Sequence, residues 1–188
     1  MSHDTEFSSR VRDCTDRLAQ VGVDALGALF DLTSHRLVRF AIALSRNQHD
    51  AEDCVQTALV RVAGEPALLG AVACPWAYLL RMVRNEVLLL GRRKKNRPVL
   101  GDLTDLVTFR RVDELEREET HREVWSALRS LPTEQAEVVV LKIWEGMTFA
   151  EIAQILDLSP NTAASRYQYA IAKLTKRLAK SQREVHRG

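Results

Sequence analysis

Cysteine is scarce in this chain, and the three present do not pair by spacing. Cys14, Cys54 and Cys74 are odd in number and show no C-x-x-C step, which argues against a disulfide framework or a zinc site. They read as small apolar residues of a reducing compartment. The histidines, at 3, 35, 49, 121 and 186, are dispersed, so no metal is expected. Long hydrophobic runs are missing too. The most apolar window, PALLGAVACPWAYLL, is short and broken by Pro75, which excludes it as a membrane span. The opening residues lack the basic-then-apolar pattern of a signal peptide, so the expectation is a cytoplasmic protein without membrane insertion. Strand-like alternation and internal repeats are nearly absent. So are a nucleophile triad, a P-loop and a glycine-rich dinucleotide turn, and neither enzyme chemistry nor a cofactor is expected.

What is present is helical spacing and uneven charge. The 188 residues are 46% hydrophobic and 28% charged, enough for one ordinary domain or two small ones. The net charge is only +2, but its distribution is informative. Seven Lys/Arg (81, 84, 92, 93, 94, 95 and 97) stand against the single acid Glu86 between Arg81 and Arg97. Seven more (166, 173, 176, 177, 180, 183 and 187) stand against Glu184 between Arg166 and Arg187. The stretch from Asp102 to Glu123 is acidic. Two basic blocks with an acidic spacer point to a polyanion touched at two places.

Along the chain, Phe7, Val11, Cys14 and Leu18 fall at helical intervals and suggest a short leading helix. A second helix is expected over 24–44, with Leu26, Leu29, Phe30, Leu37, Phe40 and Leu44 inward. Asp50 is a candidate N-cap for a third helix, with Asp53 in its first turn, where the dipole favours an acid. Its inward stripe is Ala51, Cys54, Val55, Ala58, Leu59 and Val62. Glu52, Asp53, Gln56, Thr57 and Arg61 lie opposite. Pro75 opens a fourth helix, with Trp76, Leu79, Leu80, Val83, Val87 and Leu90 inward, which is expected to run out at Gly91 into RRKKNRP. Residues 97–112 read as a linker. Beyond it, Pro132 begins a helix through Ile143, with Val138, Val139, Leu141 and Ile143 supplying apolar mass.

The stretch TFAEIAQILDLSPNTAASRYQYAIAKL is the most specific. Thr148 and Glu151 form a T-x-x-E capping box. Phe149, Ile152, Ala153, Ile155 and Leu156 line one side of a short helix. Asp157 tolerates a left-handed turn, Ser159 is a natural N-cap and Pro160 a natural first residue. Ala163, Tyr167, Ala170, Ile171, Leu174 and Leu178 then make an inward stripe, which leaves Asn161, Thr162, Ser165, Arg166, Gln168 and Tyr169 outward. This is helix–turn–helix spacing, in which the start of the second helix meets the major groove. A helical hairpin with no ligand would show the same stripes. The polar outward face and the basic tail favour DNA. The run RRKKNR can likewise be a solvated helix exit, or a source of salt-sensitive phosphate contacts. Glu52 and Asp53 could be a catalytic pair, a solvated face or a protein-docking face; they have no partner His.

These residues resemble the extracytoplasmic-function sigma factors of bacterial RNA polymerase. DAEDCVQTALVRV (50–62) is similar to their polymerase-docking helix, and WAYLLRMVRNEVLLLGRRKK (76–95) to the promoter-melting helix that follows. Residues 131–178 resemble their C-terminal helix–turn–helix. The resemblance implies an all-α chain of two small helical domains joined by a flexible linker. These would be an extension over 1–23, a polymerase-docking and −10 domain over 24–96, an acidic linker over 97–112 and a −35 domain over 113–188. It implies core RNA polymerase and promoter DNA as partners, and an anti-sigma factor as a further possible one. Carried over by position, Glu52, Asp53, Gln56 and Thr57 would face the polymerase. Arg84, Asn85, Arg92, Arg93 and Lys94 would lie near promoter DNA, with AGEPALLGAVACP (63–75) as the −10 segment. Asn161, Thr162, Ala164, Ser165, Arg166, Tyr169 and Lys173 would sit at the −35 surface. The chain departs from the family pattern at Thr57 (often Glu), Leu89 (often Asp), and Ala164 and Tyr169 (often basic). Two further readings stay open: a stand-alone helix–turn–helix regulator, and a sigma-like adaptor with reduced promoter reading.

Overall fold

The computed structural model describes the backbone of residues 3–95 and 119–185, with side chains over 6–95 and 123–179. The expected linker 97–112 lies outside the described residues, as do the side chains of Lys180, Arg183 and Arg187. Every regular element among the described residues is a helix. They fall into two units, Met1–Gly101 and Asp102–Gly188.

In the first unit, α1 (His3–Val21) leads through a 3-10 turn (Val23–Ala25) into α2 (Leu26–Ser45). Then come α3 (Gln48–Gly64), a second 3-10 turn (Pro66–Leu68) and α4 (Pro75–Lys95). Helices α2, α3 and α4 pack on one another, and α1 lies against α2 and α4. Of the segment 1–23, expected as an extension, the helix His3–Val21 is therefore folded onto this unit. Leu29, Leu37, Phe40, Leu79, Leu80 and Val83 are fully enclosed, each contributing about 1.5–3 kcal/mol by leaving water. All six residues expected on the inward stripe of α3 are buried.

Several local expectations change. The N-cap of α3 is Asn47, not Asp50: its extended backbone (φ −135°) lets its side chain accept from the Asp50 amide at 3.0 Å. Asp50 sits inside the first turn and receives Lys94 Nζ at 2.7 Å. Helix α4 does not end at Gly91 but continues to Lys95. A single glycine costs a helix only about 1 kcal/mol, too little to stop one already anchored by seven buried residues. Leu90 is half-buried, and Phe30 is 47% exposed, on the outer side of α2.

The second unit contains α5 (Glu119–Arg129), α6 (Thr133–Val139), α7 (Phe149–Leu156) and α8 (Pro160–Val185). Helix α6 is shorter than expected, because its last turn widens into a π turn over Val140–Trp144. The widening leaves Ile143 52% exposed instead of in the core. Trp144 stacks on Trp125 of α5 with centroids 5.7 Å apart. The capping box forms as expected. Thr148 accepts from the Glu151 amide at 3.3 Å, and Glu151 Oε2 accepts from the Thr148 amide at 2.7 Å. Asp157 closes α7 in the left-handed region (φ 57°). Its amide and that of Leu158 both return to the Ala153 carbonyl, and Ser159 Oγ accepts from the Thr162 amide at 3.0 Å.

Helix α8 packs against α5, α6 and α7. Ala163 and Ala170, both fully buried, set its rotation, and one polar contact lies on the same side. Glu137 of α6 is 2% exposed in its side chain, and Arg166 Nη1 stands 3.6 Å from its Oε1. Arg166, expected outward, therefore turns inward. A carboxylate withdrawn from water is costly unless a cation faces it, and this cost outweighs the solvation Arg166 gives up while still one-third exposed.

Two outcomes follow from this packing. Arg166→Ala lowers stability by about 1–3 kcal/mol in urea denaturation, less than for a fully buried pair because Arg166 keeps partial solvent access. Adding Glu137→Leu recovers part of the loss; equal midpoints for wild type and Arg166→Ala would sink this account. The second concerns Cys54, whose thiol burial pushes from 9.0 up to about 11, with Asp50, Glu86 and Asp53 adding to the rise. The folded state then holds this proton more tightly than the unfolded one. Its contribution to stability is full below the unfolded value and is lost as pH rises from 9.0 to about 11. At pH 8 iodoacetamide should label exposed Cys74 and spare Cys54 until denaturant is added, as peptide mass spectrometry would show.

Candidate polymerase and nucleic-acid interfaces

The outer side of α3 carries one stripe. Asp53, Gln56, Thr57 and Val60 are all exposed, at spacings i, i+3, i+4 and i+7. Thr57 Oγ1 donates back to the Asp53 carbonyl at 2.8 Å, which holds its methyl group outward. Glu52 lies at the edge of this stripe, half-buried, accepting from Gln48 Nε2 at 2.8 Å. Val60, 69% exposed, is the residue sequence reasoning missed. Its signal was position: it continues the Asp53 face by one helical turn and is the stripe's apolar member.

The C-terminal half of α4 is the basic element of the first unit. Arg84 is half-buried and Asn85 exposed. Arg92 and Arg93 are exposed and make no ion pair among the described residues. Lys94 is held by Asp50. Arg61 is likewise taken up, by Glu86 at 3.1 Å. Of the candidate cations at the end of α4, Arg92 and Arg93 are thus the ones presented to solvent without an acid.

In the second unit the seven residues expected at the DNA surface divide. Asn161, Ser165 and Tyr169 are exposed, Tyr169 to 67%. Thr162 is exposed but engaged with the cap, its hydroxyl 2.8 Å from that of Ser159. Ala164 is half-buried. Arg166 faces Glu137, and Lys173 Nζ donates to Gln135 of α6 at 3.1 Å. Both cations along this part of α8 are therefore drawn to α6. The outward row is Asn161, Ser165, Gln168, Tyr169 and Ala172, all exposed, at i, i+4, i+7, i+8 and i+11. Such a row can hydrogen-bond base edges through amides and hydroxyls; it carries no charge over 161–172, and the same face continues to the exposed Lys176. No group of acids, histidines or cysteines able to hold a metal occurs among the described residues.

Known proteins share this arrangement. The family model for sigma-70 region 2 matches residues 29–97, and that for sigma-70 region 4 matches residues 121–174. The ECF RNA polymerase sigma factor SigL of Mycobacterium tuberculosis is 30% identical over 150 residues, covering 78% of this chain and 85% of that protein. The structure of CnrH in complex with the cytosolic domain of CnrY superposes with a TM-score of 0.63 at 26% identity, over 90% of this chain and 97% of that one. The sigma factor RpoE of Bartonella quintana, solved with the anti-sigma factor NepR, gives 0.62 at 22% identity, over 80% and 94%, a likeness of fold. With both sigma regions matched in order, and a relative of this identity aligned over most of both lengths, the chain belongs to the extracytoplasmic-function sigma factors of bacterial RNA polymerase.

Proposed function

We infer that this sigma factor binds core RNA polymerase through the outer stripe of α3 and leads it to a particular promoter set, catalysing nothing itself. The observation that carries the reading is that the first turns of α8, from Asn161 to Ala172, present an uncharged outward row, while the exposed cations Lys176 and Arg177 lie only farther along the helix. Non-specific affinity for DNA comes from cations on phosphate, and Arg166 and Lys173 are engaged with α6. A helix–turn–helix of this kind needs its affinity supplied from elsewhere. That disfavours a stand-alone regulator and favours a module carried to DNA by polymerase.

The residues take roles accordingly. Asp53, Gln56, Thr57 and Val60 form the polymerase contact, with Glu52 at its edge. Arg92 and Arg93 meet promoter phosphates, with Arg84 and Asn85 a few turns earlier on α4. Lys94 joins them only by exchanging Asp50 for phosphate. Asn161, Ser165, Gln168 and Tyr169 read the −35 element, while Thr162, Ala164, Arg166 and Lys173 shape the helix that presents them. The domains proposed are 24–96 for docking and the −10 element, 97–112 as linker and 113–188 for the −35 element. The protein works where polymerase works, in the cytoplasm; no described helix is long and apolar enough to cross a membrane. An anti-sigma factor is the further partner we propose, of the kind that the RpoE structure holds in NepR.

In vitro transcription on genomic fragments tests the reading. Discrete start sites are expected only when core polymerase and this protein are both present, with no specific band shift by the protein alone at moderate salt. A specific DNA complex without polymerase, together with no binding to core, would reverse the conclusion in favour of a regulator. Core binding without start sites would favour an adaptor. Within the reading face, Gln168→Ala should cost about 1–3 kcal/mol of promoter discrimination. Core affinity and thermal stability should stay at wild-type values, in contrast to Arg166→Ala. Unchanged start-site preference would remove Gln168 from the reading row.

A further inference from the structure

The connection between α3 and α4 has little to hold itself in shape. From Pro66 to Cys74 it contains no charged side chain. Its own backbone bonds are few: the Leu68 amide donates to Glu65 O at 3.0 Å, and the Val72 amide to Leu69 O at 3.5 Å. Ala67, Ala71, Ala73 and Cys74 are exposed. A segment so poor in polar groups cannot grip a phosphate backbone. It can recognise a partner only through its shape and its backbone groups.

Helix α1 supplies the missing shape. Phe7 packs edge-on against Trp76, the second residue of α4, with centroids 5.0 Å apart. Arg36 lies over both rings, 3.7 Å from the Phe7 centroid and 5.4 Å from that of Trp76. Further along α1, the Arg12 guanidinium donates to the Ala73 carbonyl. Further still, Ala19 comes so near Gly70 that a Cβ added there would stand 3.3 Å from the Ala19 Cβ. Leu69 beside it is fully buried. As α1 advances through 7, 12 and 19, the partner number falls through 76, 73 and 70. The two segments run antiparallel over about 18 Å of helix.

We propose that α1 is a splint for the 65–74 connection, and that Arg12, Ala19 and Gly70 are positioning residues for promoter opening. The proposal rests on the sigma-factor reading, in which this connection belongs to the −10 segment and faces promoter DNA. Arg12 fixes the end of the connection next to α4. The absence of a side chain at Gly70 lets α1 approach the middle. With both in place, an uncharged connection presents one surface to DNA.

The experiment uses the full chain with core polymerase and compares Arg12→Ala, Arg12→Lys, Gly70→Val and, as a control, Arg17→Ala. Arg17 is exposed on the same helix and makes none of these contacts. DNA opening is read by permanganate reactivity of unpaired thymines, and core affinity is read separately. Arg12→Ala should lower opening about tenfold, the scale of one charge-assisted hydrogen bond, with core affinity unchanged. Arg12→Lys should recover part of it, Gly70→Val should match Arg12→Ala, and Arg17→Ala should behave as wild type. Amide hydrogen exchange of residues 65–76, measured on the protein alone, should quicken in Arg12→Ala and Gly70→Val. Wild-type opening by Arg12→Ala in an active wild-type background overturns the role in opening. A parallel fall in core affinity and folded fraction also overturns it, by showing a general stability defect. Unchanged exchange overturns the splint itself. A wild-type protein inactive with core polymerase, but showing the exchange differences, would instead fault the sigma-factor reading and keep the splint.

Discussion

The second unit turns on a buried charge, the carboxylate of Glu137 in α6. A charge removed from water must be compensated, and Arg166 of α8 comes within 3.6 Å of it. With Ala163 and Ala170 fully buried on the same side, α8 is fixed in rotation about its own axis, and its other side follows. Asn161, Ser165, Gln168 and Tyr169 are delivered outward together. Two turns on, Lys173 adds a second tie, to Gln135. On the proposed reading, the chemistry that residues 161–172 offer a base edge is thus chosen by a demand of the interior: amide, hydroxyl and phenol.

In the first unit the same economy holds with different parts. Apolar burial fixes three helices, and the polar surface is then shared out in pairs. Arg61 goes to Glu86 and Lys94 to Asp50. Among the groups left exposed are a stripe of mixed character on α3, and Arg92 and Arg93 at the end of α4. Each patch alone would bind weakly. A sigma factor assembled from weak patches gains specificity because several partners must be engaged at once, and the effective concentration of the later contacts is set by the earlier ones.

The fold was legible wherever the signal is local. All six residues of the α3 stripe are buried because their spacing alone decides which way they face. The capping box at Thr148 and Glu151, and the left-handed Asp157, follow from chemistry confined to a few neighbouring residues. What was misread needed information from farther away or a competition between neighbours. Arg166 meets an acid that lies on a different helix of the sequence, so its outward spacing misled. Asn47 and Asp50 are both good caps, and only the extended backbone at Asn47 decides between them. The π turn after Val139 shifts Ile143 out of register, and no 3.6-residue pattern announces it. Gly91 has the composition of a stop, yet the buried stripe before it carries the helix onward. On the outer face of α3, Asp53, Gln56 and Thr57 are exposed as their spacing predicts, and Val60 was passed over because an exposed valine looks like noise in a sequence.

The uncharged row on α8 has a consequence beyond promoter choice. A chromosome offers an enormous excess of irrelevant sites, and a basic protein is soaked up by them. On the proposed reading, the neutral first turns of α8 add nothing to that unspecific pull, which is left to Arg92, Arg93, Lys176 and Arg177. Salt then sets how tightly the factor holds any DNA, and the neutral row sets which DNA it holds.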